Sequence, residues 1–393
     1  MKDAAPPDWS DTALLDLVQI KSHLVDPRDD RYRDLPLIAP DHLASGTGRL
    51  LKRESASSQN AISGKYLVMP GDVIYSKIRP YLQKAYKCDF RALCSADMYP
   101  LSPRPGTDSS FVLHSLLGQD FTEFAVSVSA RSGIPKINRE ELAEYRLKTP
   151  TSGEQRAIGR ALDDADRSIS SLERLIAKKQ AIKQGMMQQL LTGRTRFDSF
   201  TGPYKFGVLG DIAEVVMGQS PVGSSYNRHR AGSPLINGPT EFTDRYPAVN
   251  QWTTAPIRFC RAEDVLICVR GSSTGRTNIA DRAYCIGRGV AAVRAKNGNS
   301  QTYTQFVLEA VVAELLKLQT GSTFPSIDSR VILSGGIYIP DQNEQAAIGN
   351  ALADIDSEIE VLRERGDKAR DIKTGMMQRL LTGRTRLPVE AES

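Results

Sequence analysis

The chain has little cysteine and no long apolar segment. Its five cysteines are odd in number and form no C-x-x-C pair, so the sequence predicts reduced, mostly buried thiols and neither a disulfide framework nor a zinc site. No run of about 18 apolar residues occurs, and the first residues carry no apolar stretch of the signal-peptide kind. We therefore expect a cytoplasmic protein with no membrane span.

The usual signatures of catalytic sites are missing as well. The four histidines are scattered, and no nucleotide-binding G-x-G-x-x-G unit, G-x-S-x-G elbow, H-E-x-x-H pair or N-P-P-Y-like sequence of an amino-methyltransferase is present. Residues 271–277 superficially resemble a phosphate-binding loop, but the segment is one residue short and has Arg276 where that loop requires lysine. We expect no catalysis, no metal and no cofactor in this chain.

One stretch is written twice. Residues 154–197 and 344–387 agree at 25 of 44 positions with a constant offset of 190 and no gap. The repeat divides the chain into a first variable domain (1–150), a central helix (151–197), a second variable domain (198–340) and a second helix with its tail (341–393). Internal repetition therefore predicts two halves of the same construction.

Each copy of the repeat predicts a long helix. Capping signals precede Glu154 and Glu344, and glycines follow the last apolar residues, which gives helices of about 39 residues and about 58 Å. Apolar residues fall at heptad spacing, so each helix needs an apolar partner. We expect the other copy to supply it in an antiparallel coiled coil, with a homodimeric coiled coil as the alternative. Four positions interrupt the apolar seam, where we expect the helices to splay: Lys179, Lys183, Gly366 and Lys373.

The two variable segments share a pattern of short apolar runs and turns. Residues 14–20, 35–39, 66–69 and 72–75 read as strands, and residues 111–128 have helical spacing. Similar segments recur at 208–212, 264–266 and 306–308. The predicted fold class is α+β: two similar mixed domains joined by two long helices that pack as an antiparallel coiled coil with pseudo-two-fold symmetry.

The charge balance bears on nucleic-acid binding. Lysine plus arginine count 20 against 19 acidic residues in 1–153, and 14 against 11 in 199–343, which is a weak surplus for a protein that grips phosphates alone. Loops in both halves nevertheless combine basic, aromatic and hydroxyl side chains. One such loop alone is more typical of a solvated surface, but finding one in each half leaves DNA contact and a solvated surface as equal alternatives. The candidate DNA contacts are Tyr75, Lys77, Arg79, Lys84, Arg131, Lys136, Tyr226, Asn227, Arg228, Arg270, Ser272, Thr274, Arg276, Asn278, Ser322 and Thr323.

The block G-M-M-Q-x-L-L-T-G-R-T-R at the end of each copy is the most strictly repeated part of the chain. An apolar helix pair would tolerate variation there, so we expect each block also to meet an external partner; a recent duplication that has not diverged is the alternative. The docking candidates are Met186, Met187, Gln188, Arg194, Met376, Met377, Gln378 and Arg384.

With these motifs the chain resembles the specificity subunit of type I restriction-modification systems. The resemblance rests on the order of domains and helices, on the repeated end block, and on residues 70–82 (PGDVIYSKIRPYL) followed by Cys94-Ser95-Ala96-Asp97. It implies that each variable domain is a target recognition domain for one half of a bipartite double-stranded DNA sequence. It also implies that the helices space these domains and dock two methyltransferase subunits.

Partner subunits implied by the resemblance would carry the chemistry. S-adenosylmethionine would be bound by the methyltransferase subunits, and ATP and Mg²⁺ would serve a restriction and translocase subunit. The residues leave two other functions open. One is a coiled-coil adaptor whose globular domains bind proteins, and the other is a fused restriction and methyltransferase enzyme, which the missing motifs disfavour.

Overall fold

The computed structural model describes residues 6, 8–129, 133–318 and 326–388. The chain forms two compact units. Unit 1 comprises Met1–Arg174 and Arg363–Ser393, and unit 2 comprises Leu175–Leu362. Each unit therefore combines one variable segment with part of both long helices, whereas the sequence analysis treats domains and helices as separate segments; the domain boundaries given there stay a prediction.

Unit 1 contains a two-stranded ribbon and two four-stranded sheets. Its elements are β1 (Ser10–Ala13), α1 (Leu14–Leu17), β2 (Val18–Ile20), β3 (Leu24–Val25), β4 (Leu37–Ile38), β5 (Lys65–Val68), β6 (Val73–Ser76), β7 (Ala85–Lys87), β8 (Ala92–Cys94), β9 (Met98–Pro103), α2 (Ser109–Leu116), α3 (Gln119–Ser129), α4 (Arg139–Glu144), β10 (Arg146–Thr149) and the first part of α5 (Ser152–Leu190). The ribbon pairs β1 with β10. The sheet with the longer strands, called the larger sheet, has the order β2-β9-β6-β7, and the other, called the smaller sheet, has the order β3-β5-β8-β4; the same names are used in unit 2.

Unit 2 likewise contains a two-stranded ribbon and two four-stranded sheets. Its elements are β11 (Lys205–Val208), α6 (Leu209–Ile212), β12 (Ala213–Met217), β13 (Tyr226–Asn227), β14 (Ser233–Ile236), β15 (Gln251–Thr253), β16 (Val265–Cys268), β17 (Thr277–Ile279), β18 (Cys285–Ile286), β19 (Val290–Ala295), α7 (Gln301–Leu318), α8 (Ser329–Leu333), β20 (Gly336–Ile339) and the first part of α9 (Gln342–Leu380). Its ribbon is β11-β20 and its sheets are β12-β19-β16-β17 and β13-β15-β14-β18.

The two units repeat one fold, as the sequence predicts. The larger sheet has the same strand order in both, and the smaller sheet contains one parallel pair in each, β4 with β8 and β14 with β18. In each unit a core of apolar side chains fills the space between the larger sheet, the domain helices and the long-helix segments; Ile158 and Leu162 belong to the core of unit 1, and Ile348 and Leu352 to that of unit 2. The predicted α+β class with two similar sheet-rich halves is confirmed.

Two local predictions in unit 1 are wrong in detail. Residues 14–20 do not form one strand, because a single helical turn precedes β2. This turn directs both Leu14 and Leu17 into the core. Residues 111–128 do not form one helix either. The chain breaks at Gly118, whose N–H donates to the Ser115 carbonyl at 3.1 Å, and α3 restarts in a new direction.

Both long helices have the predicted length. They span Ser152–Leu190 and Gln342–Leu380, 39 residues each. The Asp341 carboxylate accepts from the Glu344 N–H at 3.0 Å, so the second capping signal acts as predicted. At the other ends Gly193 and Gly383 have left-handed backbones, with φ of 69° and 75°, and they terminate the helices as sequence analysis predicts.

The three lysines on the predicted seam form ion pairs, and the splaying expected there stays a prediction. In unit 1 the Lys373 ammonium lies 2.6 and 2.7 Å from the two carboxylate oxygens of Asp166. In unit 2 Lys183 pairs with Asp356 at 2.8 Å, and Lys179 pairs with Glu358. Three of the four predicted breaks are therefore ion pairs, because an acid on the other long helix faces each of these lysines.

A second polar cluster of unit 1 joins α2 to α5. The Asp163 carboxylate accepts from His114 Nε2 at 2.9 Å, from Lys87 Nζ at 2.7 Å and from Ser110 Oγ at 2.7 Å. Burial alone would raise the pKa of Asp163, but the hydrogen bonds from His114, Lys87 and Ser110 outweigh it and hold that pKa below its ordinary value. The ionised carboxylate is therefore part of the folded structure.

In the described part of the chain, no helix is long and apolar enough to cross a membrane.

Candidate DNA interface and partner-docking block

Several hydrogen bonds fix the backbone of the loop between β6 and β7 of unit 1. The Ser76 N–H donates to the Lys84 carbonyl at 2.9 Å, and the Leu82 N–H to the Arg79 carbonyl at 2.9 Å, around a 3₁₀ turn over Pro80–Leu82. A neighbouring segment supports it, since the Arg79 N–H donates to the Pro135 carbonyl at 2.8 Å. The loop is thus a rigid platform at the end of the larger sheet.

The loop between β16 and β17 of unit 2 repeats this backbone. The Cys268 N–H donates to the Arg276 carbonyl at 2.9 Å, and the Thr274 N–H donates to the Gly271 carbonyl at 3.1 Å. Arg270 forms an antiparallel bridge with Ser326, as Ile78 does with Lys136 in unit 1. These hydrogen bonds make Arg79 and Gly271 equivalent positions, two residues that sequence analysis does not align.

Three predicted DNA contacts of unit 1 come together on the first of these loops. Arg79 and Lys136 are exposed, and Lys77 is half-buried beside them, with its ammonium donating to the Ala96 carbonyl. Burial lowers the pKa of Lys77, and the cations of Lys136 and Arg139 lower it further. Positive charge is therefore concentrated at this edge, which suits a polyanionic ligand.

Two other candidates of unit 1 have structural roles. Tyr75 is 1% exposed and packs edge-on against Phe121 with ring centroids 5.1 Å apart, so it is not a DNA contact of the folded unit. The Lys84 ammonium donates to the Pro40 carbonyl at 2.6 Å and ties two loops together. All four residues of β6 are buried, so this strand has no solvent-facing side, and that explains the error for Tyr75.

In unit 2 the predicted residues divide in the same way. Arg270 and Ser272 are exposed on the β16–β17 loop. Thr274 is buried and its hydroxyl donates to the Gly271 carbonyl at 2.7 Å, so it holds the turn. Asn278 is buried and donates to the Thr243 carbonyl at 2.9 Å, while Arg276 donates to the Phe242 carbonyl at 2.7 Å. Arg270 and Ser272 are therefore the exposed candidates outside these hydrogen bonds, whereas Arg276 is exposed but its guanidinium supports the neighbouring loop.

The smaller sheet of unit 2 presents a second cationic turn after β13. Asn227 closes this turn by donating to the Ala231 carbonyl at 2.9 Å and accepting from the Ala231 N–H at 3.0 Å. Arg228 is exposed there and Tyr226 is half-buried. The Arg230 guanidinium stacks over the Trp252 ring at 5.7 Å, a pair that sequence reasoning missed because its members are 22 positions apart. Asn227 thus positions the turn, on which Arg228 and Arg230 are both exposed, with Arg230 stacked on Trp252.

Three candidates, Arg131, Ser322 and Thr323, lie outside the described residues. Among the residues that the structure describes, no cluster of histidine, cysteine, aspartate or glutamate could hold a metal ion.

The repeated end block has an intramolecular role that sequence analysis did not anticipate. In unit 1 the buried Glu154 carboxylate accepts from Trp9 Nε1 at 3.1 Å and from the Arg386 guanidinium at 2.9 Å. In unit 2 buried Glu344 accepts from Arg196 at 2.6 and 2.9 Å, and from a tyrosine hydroxyl, that of Tyr204, at 3.1 Å. The last arginine of each block is thus retained because it neutralises a buried carboxylate at the start of the other long helix.

The methionines of the block also contact the protein itself. Met187 is 8% exposed within the apolar core of unit 2, Met186 packs against that core, and Met376 and Met377 pack against the core of unit 1. Gln188, Gln378, Arg194 and Arg384 are exposed. Docking thus stays a prediction, and the exposed polar members are better placed for it than the methionines.

Each block also opens with a glycine inside the helix. A Cβ added at Gly185 or at Gly375 would meet nothing within 4 Å. Glycine in a helix interior is less favourable than alanine by about 1 kcal/mol. The described residues therefore offer no packing reason for glycine at either position, although both copies keep it.

Residues 6–184 and 202–368 match the family model described as the type I restriction modification DNA specificity domain. A putative type I restriction enzyme MjaX specificity subunit of Methanocaldococcus jannaschii is 32% identical over 267 residues, 64% of this chain and 62% of that protein. The type I restriction enzyme EcoDI specificity subunit of Escherichia coli is 32% identical over 186 residues, 47% of this chain and 41% of that protein. These alignments span less than two thirds of each relative.

Solved structures share the fold. The S subunit of a type I restriction-modification system from M. genitalium matches with a TM-score of 0.65 at 13% identity, over 97% of both chains. A chain from a study of complex assembly and conformational transition in the type I R-M system matches with a TM-score of 0.59 at 22% identity, over 97% of this chain and 99% of that one. Since the family model matches both halves, this chain belongs to the type I restriction modification DNA specificity domain family.

Proposed function

We propose that this chain is the DNA specificity subunit of a type I restriction-modification complex, with each unit reading one half of a bipartite double-stranded target. One observation carries the proposal: the larger sheet of each unit carries an equivalent hydrogen-bonded loop at the same place. Each loop exposes an arginine beside its turn, Arg79 in unit 1 and Arg270 in unit 2. A shared scaffold with different exposed side chains suits two readers of two different sequences.

The long helices are proposed to form an antiparallel coiled coil with pseudo-two-fold symmetry that sets the spacing between the half-sites. Within unit 1, Asp166 pairs with Lys373 and Glu173 pairs with Arg370, so partner numbers fall on α9 as they rise on α5. The pair of Lys183 with Asp356 repeats the pair of Lys373 with Asp166 at the offset of 190. Opposite numbering and repeated pairs support the antiparallel arrangement.

Two methyltransferase subunits are proposed to dock on the two end blocks, and a restriction and translocase subunit to join them. In this proposal S-adenosylmethionine, ATP and Mg²⁺ belong to those partners, and this chain contributes recognition without catalysis. The exposed glutamines and the open helix glycines support docking, because a missing Cβ lets another backbone approach closely. The repetition of the block supports two copies of the same partner.

The decisive experiment is methylation of a random-sequence DNA pool by the complex of this chain with its methyltransferase. A split motif is expected, and exchange of residues 198–340 for the corresponding segment of a related chain should change one half of it. If no methylated motif is found, or if the exchange changes both halves of the motif, the proposal is contradicted. In that case binding of the two units to proteins, the adaptor function, becomes the better explanation.

The docking surface has a separate test with a matched control. Gly185→Ala combined with Gly375→Ala should raise helix stability, by about 1 kcal/mol per site, yet weaken assembly with the methyltransferase in analytical ultracentrifugation. Gly366→Ala is the control, because this helix glycine is not repeated and an added Cβ would meet only the Arg370 guanidinium at 3.7 Å. If the paired variant assembles as well as the control, the glycines are not part of the dock.

A further inference from the structure

The two equivalent loops differ at the positions where the backbone is left-handed. In unit 2 both positions are glycine, Gly271 with φ of 83° and Gly275 with φ of 91°. In unit 1 the same positions are Arg79 with φ of 49° and Gln83 with φ of 48°. Side chains other than asparagine, aspartate and histidine rarely adopt this conformation, so unit 1 keeps two strained residues where unit 2 has none.

The strain at Gln83 is accounted for inside the protein. Its side-chain amide donates to the Thr122 hydroxyl at 2.7 Å, and its carbonyl accepts from the Gly46 N–H at 3.0 Å. The Arg79 backbone is held by its N–H bond to the Pro135 carbonyl at 2.8 Å, but among the described residues its side chain makes no contact comparable to that of Gln83 with Thr122. Its guanidinium is exposed, and within the described ranges no acid or carbonyl pairs with it. A cation on a strained backbone with nothing to bind is typical of a site whose ligand is another molecule.

The surroundings of Arg79 indicate what that ligand is. Lys136 and Lys77 add positive charge beside it, and apolar groups lie on the same pair of segments, Tyr81 at 55% and Ile134 at 64% exposed. Phosphate contacts tolerate mobile point charges such as that of Lys136, whereas a base edge must be met by a donor pair at fixed geometry. Among these three cations Arg79 alone carries a planar pair of donors, on a backbone that the hydrogen bonds of the loop hold in place.

In an inference that rests on the proposed function, we infer that Arg79 reads a guanine within the half-site bound by unit 1. Its two terminal nitrogens donate to O6 and N7 of that base in the major groove. Lys136 holds a neighbouring phosphate. In unit 2 the equivalent position is glycine, so this particular contact belongs to one half-site only.

The test uses the assembled complex with its methyltransferase and compares motif, affinity and melting temperature. Arg79→Gly should relax the preference at one G·C pair of one half-site by about 5- to 150-fold and leave the other half-site unchanged. Its melting temperature should not fall, because glycine adopts the left-handed conformation freely and already stands at this position in unit 2. Arg79→Lys, which keeps the charge without the planar fork, should relax the same base pair.

Two matched variants separate the roles. Gln83→Gly relieves the same backbone strain but loses the Thr122 hydrogen bond, so it should keep the motif and lower the melting temperature. Lys136→Ala should weaken binding to all sequences equally. It should also reduce the slope of the logarithm of the binding constant against the logarithm of salt concentration by about 1, the value for one phosphate contact. Unchanged discrimination at every position in Arg79→Gly, or an equal loss for every sequence, overturns the inference, whereas absence of any motif in the unaltered complex instead overturns the proposed function.

Discussion

The ion pair of Asp166 and Lys373 allows a quantitative test of how the two long helices associate within unit 1. The Lys373 side chain is 9% exposed and Asp166 is 27% exposed, so the two partners are buried unequally. Asp166→Asn removes the carboxylate and leaves the ammonium with little water around it. Lys373→Met instead removes the buried charge, keeps the packing of the side-chain stem, and leaves a carboxylate that water can still reach.

The two variants should therefore differ in cost. Loss of one partner from a fully buried pair costs about 3–5 kcal/mol, and the partial exposure of Asp166 reduces the expected value for Asp166→Asn to about 2–3 kcal/mol. Lys373→Met should stay within about 1 kcal/mol of the original, since replacing a buried charge by an apolar group of similar length is often neutral. The double variant should recover most of the loss, because no unpaired ammonium remains.

Urea unfolding followed by tryptophan fluorescence measures these costs. The chain has two tryptophans, Trp9 in unit 1 and Trp252 in unit 2, so a Trp252→Phe background reports unit 1 alone. Asp356→Asn, measured through Trp252 in a Trp9→Phe background, is the matched control. It should cost less, because Lys183 keeps Glu309 at 3.5 Å. Equal costs for Asp166→Asn and Lys373→Met, or strict additivity in the double variant, would refute the reasoning.

Two further predictions concern unit 1. Because the folded pKa of Asp163 lies below its ordinary value of 3.8, its contribution to stability should be complete above pH 3.8 and be lost as the pH falls through the folded pKa. Asp163→Asn should cost about 2 kcal/mol at neutral pH and flatten the acid limb of stability against pH; an unchanged acid limb would contradict this. Trp9→Phe removes the indole donor to buried Glu154 and should lower the free energy of unfolding by about 1–2 kcal/mol, measured by calorimetry, whereas no change would show that Arg386 alone satisfies the carboxylate.

Much of the framework follows from local sequence signals. The gapless repeat, its capping residues and its terminal glycines predict two helices of the observed length, and the parallel between 72–74 and 264–266 predicts equivalent strands β6 and β16. These features depend on residues close together in the chain, where helical spacing, turn chemistry and strand alternation act directly.

Contacts between distant residues were not predictable in the same way. Lys373 looks like a defect of the seam until Asp166, more than 200 positions away, is placed opposite it. The retained Arg386 suggests an external partner until buried Glu154 is found beside it. Arg79 was predicted from composition alone, but its special position became visible only through its left-handed backbone and through the glycine at the equivalent position of unit 2.

Unit 1 is made of the first and last segments of the chain, and this affects the order of folding during synthesis. Its core takes Leu380 and packs against Leu387, and Glu154 is neutralised by Arg386, so residues near position 387 are needed to complete a unit whose strands begin at Ser10. Unit 2 is one continuous segment, Leu175–Leu362. During translation unit 2 can therefore close first, while the earlier-made strands of unit 1 wait with exposed apolar surface for the last turns of α9. The half of the protein that is translated first is therefore the half that matures last.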